Sequence, residues 1–220
     1  MISILAILAV PAMKTARDDR MAFDYARQFQ SIIHRAEVRA MSRGAAHLVI
    51  IDTSGGSRGR AALFEAVDAT PAAQNGPKPV SSCRGQRDNT GTYINHWAEA
   101  QTWVPGQPTP PVLSPLIDFV SLEGPGVEAG MNLFATMTET PSGGASAPAT
   151  TIAICYTPGG NIYAAPGAGA AGAITAMRAA PAYNGVIKIA IARHTPGNAV
   201  LGLTRNVIVA GGAAPRLTSQ

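Results

Sequence analysis

The chain has 220 residues and a formal net charge of +4, enough for one sizeable domain and a long helix. Charged residues make up 14%, against about a quarter in an ordinary globular protein, and a charge of +4 is weak evidence for an anionic partner. No signal peptide with a cleavage site is visible, and only one apolar run is long enough to suggest a membrane contact.

That run opens the chain. Ile2, Ile4, Leu5, Ile7, Leu8 and Val10 stand before Pro11, with Ser3 as the one polar residue between them. It is too short to span a bilayer alone, which takes about 20 apolar residues. After Pro11 the pattern turns amphipathic. Tyr25, Phe29, Ile32, Ile33, Ala36 and Ala40 recur at spacings of three and four, the period of one helix face. Arg27, Gln28, Gln30, Arg35, Glu37 and Arg39 lie between them, for water or a partner. Gly44 after Arg43 reads as a stop. One helix of about 60 Å is expected, with residues 1–13 suited to a membrane or a filament core and 14–44 to packing on a head.

Residues 45–220 read as a β-rich head. Strands are expected at 45–52, 60–67, 112–122, 131–138, 150–157, 185–193 and, as one or two, 199–210, with a return strand from Ile162. In 150–157, Ile152, Ile154 and Tyr156 share one face, and Ala153 and Cys155 the other. Turns fall at Ser54–Ser57, Gly124–Gly126, Pro158–Asn161 and Thr195–Asn198. Asp68–Gly91, Gln107–Pro111 and Pro141–Pro148 read as loops, and Tyr93–Val104 as a short helix or irregular cover. Ala164–Ala180 reads as a loop or a few helical turns, and Gly211–Gln220 as a mobile tail. The expected fold class is α+β, a long N-terminal helix packed against an antiparallel sheet. Cys83 and Cys155 are either one disulfide or two buried thiols, the bridge being favoured in an oxidising compartment.

The residues offer no catalytic constellation. His34, His47, His96 and His194 lack metal-ligand spacing, and no Gly-x-Ser-x-Gly elbow occurs. Ser54–Gly59 is Gly-rich but lacks the Lys-Ser/Thr of a phosphate loop. No catalytic residue, cofactor or metal is therefore expected. Arg35, Arg39 and Arg43 make a basic stripe that could meet an anion such as DNA. A solvated face or contacts to neighbouring subunits explain it more simply, and no aromatics interleave the stripe.

The run Ile2–Pro11, ISILAILAVP, resembles the second half of the N-terminal segment of type IV pilins and type II secretion pseudopilins. That segment begins Phe-Thr-Leu-Ile-Glu-Leu and ends at a helix-bending proline, matched by Pro11. The likeness implies about ten residues ahead of Met1, including the family's early glutamate. Ala22–Gly44, the strand and turn ICYTPGGNIY (Ile154–Tyr163) and the closing VIKIAIAR and RNVIV strands are similar to GspH/FimT-type minor pilins. The resemblance implies a non-enzymatic minor pilin that primes assembly or joins a tip complex. Its partners would be other pilin subunits, the inner membrane before assembly and a tip adhesin. Its head would be periplasmic and later displayed at the cell surface. A type II secretion pseudopilin and a DNA-binding minor pilin are the alternatives.

Overall fold

The structure is a computed structural model describing residues 2–53, 58–68, 78–85, 90–91, 94, 96–101, 116–122, 133–194 and 199–220, with the backbone alone at 2–15, 18, 98 and 99. Helix α1 runs Ile2–Arg43, 42 residues. Gly44 follows at φ +67°, a left-handed conformation that glycine adopts without a Cβ penalty. Ala22, Ala26, Phe29, Ile32, Ile33, Ala36 and Ala40 are buried and define its inner face. The alanines let the helix backbone approach the sheets, while Phe29, Ile32 and Ile33 fill the space between. Each of these three larger side chains gains about 1.5–3 kcal/mol by leaving water.

Among the described residues twelve strands follow: β1 His47–Asp52, β2 Arg60–Glu65, β3 Val67–Asp68, β4 Lys78–Pro79, β5 Leu116–Ser121, β6 Leu133–Thr140, β7 Ala147–Ala149, β8 Thr151–Tyr156, β9 Ile162–Gly167, β10 Val186–His194, β11 Val200–Ala210 and β12 Ala213–Ser219. Two further helices are α2 Ala98–Gln101 and α3 Gly169–Ala179. The first sheet has the order β5-β2-β1-β8-β9 and the second β12-β11-β10-β6-β7, while β3 and β4 form a separate ladder. All pairings are antiparallel.

This corrects the expected α+β plan. The fold is mostly β, in three antiparallel sheets, and α1 packs against strands of both five-stranded ones rather than against a single sheet. Val49, Ile51, Leu63, Ile152 and Ile154 of the first sheet meet Ile187, Ile189, Ile191, Val207 and Val209 of the second, together with the α1 stripe, in one core. The other face of the first sheet, with Leu48, Ile50, Phe64 and Ala153, packs on Ile174 and Met177 of α3 and on Val80 and Trp97. Burial on both faces explains why β1 and β8 are apolar runs rather than alternations.

Two more expectations are corrected, and a third, left open between a loop and helical turns, resolves to a helix. The supposed mobile tail contains β12, paired with β11 through Val207↔Leu217 and Asn206↔Thr218; Leu217 packs on the core among polar neighbours that masked the period. The loop Pro141–Pro148 ends in β7, paired with β6. Ala164–Ala180 holds the rest of β9 and the 11-residue helix α3. Its small residues serve close approach: a Cβ on Gly167 would lie 2.1 Å from the Ala173 nitrogen. The expected turns at 54–57, 124–126 and 195–198 and the loop at 107–111 lie outside the described residues.

Cys83 and Cys155 form a disulfide across a sequence separation of 72. It joins β8 to the cover that carries Trp97, whose Nε1 donates to the Cys83 carbonyl at 3.0 Å. Arg84 donates to the Ala180 carbonyl at 2.6 Å, and Arg178 to the Arg84 carbonyl at 3.1 Å, fixing the cover to α3. Closing such a loop stabilises the fold by up to about 4 kcal/mol in the chain-entropy account. The double variant Cys83→Ala/Cys155→Ala should lose stability on that scale in urea titration, with Trp97 fluorescence changing first. An unchanged midpoint would show that the cover holds without the bond.

Candidate functional site

The sequence directs attention to α1 and its joint with the sheets. The apolar positions Ile2, Ile4, Leu5, Ile7, Leu8 and Val10, with Pro11, all lie on the helical backbone of α1; their side chains are outside the description. Among the described residues, no helix is long and apolar enough to cross a membrane. The described inner face of α1 begins at Ala22, which is buried with Leu133 at the start of β6. Phe23 carries two cations on its ring, Arg27 at 5.7 Å and Arg205 of β11 at 5.5 Å. Gln30 Nε2 donates to the Pro215 carbonyl on β12 at 2.9 Å. None of these tertiary partners was legible in the sequence, because they lie far along the chain.

At its C-terminal end α1 crosses a polar row on β8, β1 and β2, where Tyr156 and Glu65 flank His47 in register. Arg43 Nε donates to Glu65 Oε1 at 3.1 Å. His47 Nδ1 lies 3.1 Å from the Ala45 carbonyl, which assigns its proton to Nδ1 and leaves Nε2 bare, 4.0 Å from Glu65 Oε2. His47 is fully buried, and burial lowers its pKa below the ordinary histidine value, partly opposed by the Ala45 carbonyl and by Glu65. The Tyr156 hydroxyl, buried near Glu37, is held protonated well above the usual phenol range, mainly by desolvation. His34, exposed on the helix, faces Glu37 at 3.4 Å. At the opposite ends of the same three strands, Asp52 accepts from Arg60 Nε at 2.8 Å and from Thr151 Oγ1 at 3.0 Å.

The basic stripe is not an open array. Arg35 is ion-paired with Asp118 of β5 and Arg43 with Glu65 of β2, while Arg39 is half-buried near His47. Two further arginines, Arg60 and Arg58, are also engaged: Arg60 pairs with Asp52, and Arg58 stacks over Phe134 at 5.9 Å. Pairing with carboxylates on the sheets explains the stripe as helix-to-sheet clamps.

His96 is buried beside Asp68 and Arg178, and desolvation lowers its pKa as well. His194 meets Phe134 edge-on at 5.2 Å in a groove of about 450 Å³ with Thr53, Thr136 and Thr150. A second groove of about 320 Å³ holds Glu139 and Tyr183, whose hydroxyl donates to Glu139 Oε1 at 3.3 Å. Among the described residues, no group of three or more His, Cys, Asp or Glu is placed to hold a metal ion.

Each outermost strand of the two five-stranded sheets carries a device against strand addition. Pro148 in β7, Pro166 in β9 and Pro215 in β12 each lack a backbone donor. In β5 the Phe119 N–H is taken by Asp118 Oδ1 at 2.9 Å. Comparison with family models, with curated proteins and with solved structures finds no match.

Neutral burial of His47 and His96 sets the sign of a pH dependence. Their folded pKa values lie below those in the unfolded chain, so the unfolded chain binds protons first on acidification. Stability is therefore full above about pH 6.5 and falls as pH drops toward the folded values, by up to about 1.4 kcal/mol per pH unit for each histidine. Urea unfolding at neutral and mildly acidic pH should show this loss, reduced in His47→Gln. Stability that is flat or rising on acidification contradicts the neutral assignment.

Proposed function

We propose that the chain is a structural subunit of a type IV pilus-like filament, a minor pilin that primes assembly or joins a tip complex. The observation that carries this reading is the continuity of α1. One helix of 42 residues joins the charge-free stretch Ile2–Val10 to a stripe seated between two sheets. A globular core has no use for a helix of about 60 Å. Such a helix serves two surroundings, a head at one end and lipid or sister helices at the other. The blunted outer strands support assembly through the helix rather than by β-strand addition.

Before assembly the apolar end sits in the inner membrane, with the head and its disulfide in the oxidising periplasm. Ile2–Val10 is about half of a span, so this reading requires further apolar residues ahead of Met1. A type II secretion pseudopilin shares every one of these features and differs by whether loss of the gene blocks export or surface fibres. The DNA-binding alternative is weakened by the ion pairs at Arg35 and Arg43.

The test is genetic and biochemical together. Deleting the gene should reduce fibre number, and the protein should be recovered in sheared, purified fibres. Leu5→Arg with Leu8→Arg should remove it from both membranes and fibres while leaving the head folded. Normal fibres in the deletion strain, with the protein absent from wild-type fibres, would rule the proposal out.

A further inference from the structure

The first residues of β11 form an aliphatic tip. Val200, Leu201 and Leu203 are 54%, 38% and 47% exposed, and among the described residues they form the one run of three exposed large apolar side chains close together in sequence. Gly202 lies between them at φ +72°, pressed on the helix: a Cβ there would fall 2.5 Å from Asp19 Oδ1. Three residues on, Arg205 reaches Phe23. The strand therefore advances in the same sense as α1, with its start directed toward the helix N-terminus. Val200 stands two residues before Gly202, about 6–7 Å further back at a strand rise of about 3.3 Å. Gly202 to Arg205 spans three strand residues while Asp19 to Phe23 spans four helical ones, so two strand residues match about three helical residues and bring Val200 level with about residue 16. The apolar part of the helix gives way to charge at Lys14. The tip thus lies at the height where the helix would leave a bilayer.

Charge at this level complements an anionic surface. Over residues 14–20 the sequence carries Lys14, Arg17 and Arg20 against Asp18 and Asp19, and Arg17 and Arg20 are exposed. Aliphatic residues beside arginines suit the interface, where stems enter the acyl boundary and guanidinium groups stay with phosphates.

We propose that the start of β11 is a second membrane contact, with Val200, Leu201 and Leu203 entering the interface of an anionic bilayer while Arg17 and Arg20 meet its headgroups. The proposal rests on the membrane-anchored reading above. It gives the head a fixed tilt on the membrane before assembly, since two contacts define an orientation that one helix leaves free.

The test uses the full chain with Leu201→Trp in vesicles whose acyl chains carry bromine, a short-range quencher. Phosphatidylcholine vesicles with and without phosphatidylglycerol are compared. The added tryptophan, read against the wild-type signal, should be quenched several-fold in anionic vesicles and less in neutral ones. Salt of about 1 M, where the Debye length falls to about 3 Å, should relieve much of that quenching without releasing the protein. Val200→Ser/Leu201→Ser/Leu203→Ser should still float with vesicles and should lose protection of the tip from added protease. Flotation of the Leu201→Trp protein without quenching overturns the tip contact alone. Failure of the wild-type chain to float overturns the anchored reading and the tip contact with it. Shielding of the tryptophan only on fibre assembly assigns the tip to a sister subunit and overturns the lipid contact.

Discussion

Everything in this fold depends on the seating of α1 between two sheets. The inner faces of the two five-stranded sheets and the buried stripe of α1 share one core. The helix enters it along a stripe of alanines interrupted by Phe29, Ile32 and Ile33. Interiors pack at crystal-like density, so a void left by any of these side chains is not relaxed cheaply. The helix is then part of the core and cannot detach without opening the head. That coupling fits the proposed subunit: force or lipid acting on the far end of the helix is transmitted to the head through a rigid connection.

Polar contacts refine this seating instead of creating it. Arg35 with Asp118 and Arg43 with Glu65 join the helix to β5 and β2 of the first sheet, fixing its rotation and its slide. Both arginines are about half exposed, so such pairs add little stability, and registration is the larger effect. The row Tyr156, His47 and Glu65 beneath the last turns is of a different kind. It is buried, its histidine is neutral, and the His47 Nε2 and Tyr156 hydroxyl lack hydrogen bonds among the described residues. Such a joint is firm at neutral pH and costs more as protons become abundant.

The helix was legible because its period is long and regular, and Gly44 marks its end. The faces of β8 were legible too: Ile154 and Cys155 do point to opposite cores. The sheet count was not. Adjacent strands of the two sheets follow one another along the chain, and nothing local tells β6 to leave the first sheet and pair with β10. Strand β12 escaped because Pro215, Arg216 and Thr218 break its apolar alternation at an edge. The stretch of α3 stayed open between a loop and a few helical turns because alanine and glycine are common to loops and to close contacts, and only the packing at Gly167 separates the two. The spacing of Arg35, Arg39 and Arg43 is visible in the sequence, yet the carboxylate partners of Arg35 and Arg43 lie tens of residues away.

The central claim is that one continuous helix has a head-bound half and a half meant for lipid and for other helices. Photocrosslinking from position 8 in living cells, with the photoreactive side chain in place of Leu8, tests it most directly. The account predicts adducts with lipid and with the apolar helices of sister subunits. Adducts confined to this chain's own strands, such as those carrying Ile187 or Val207, would contradict it.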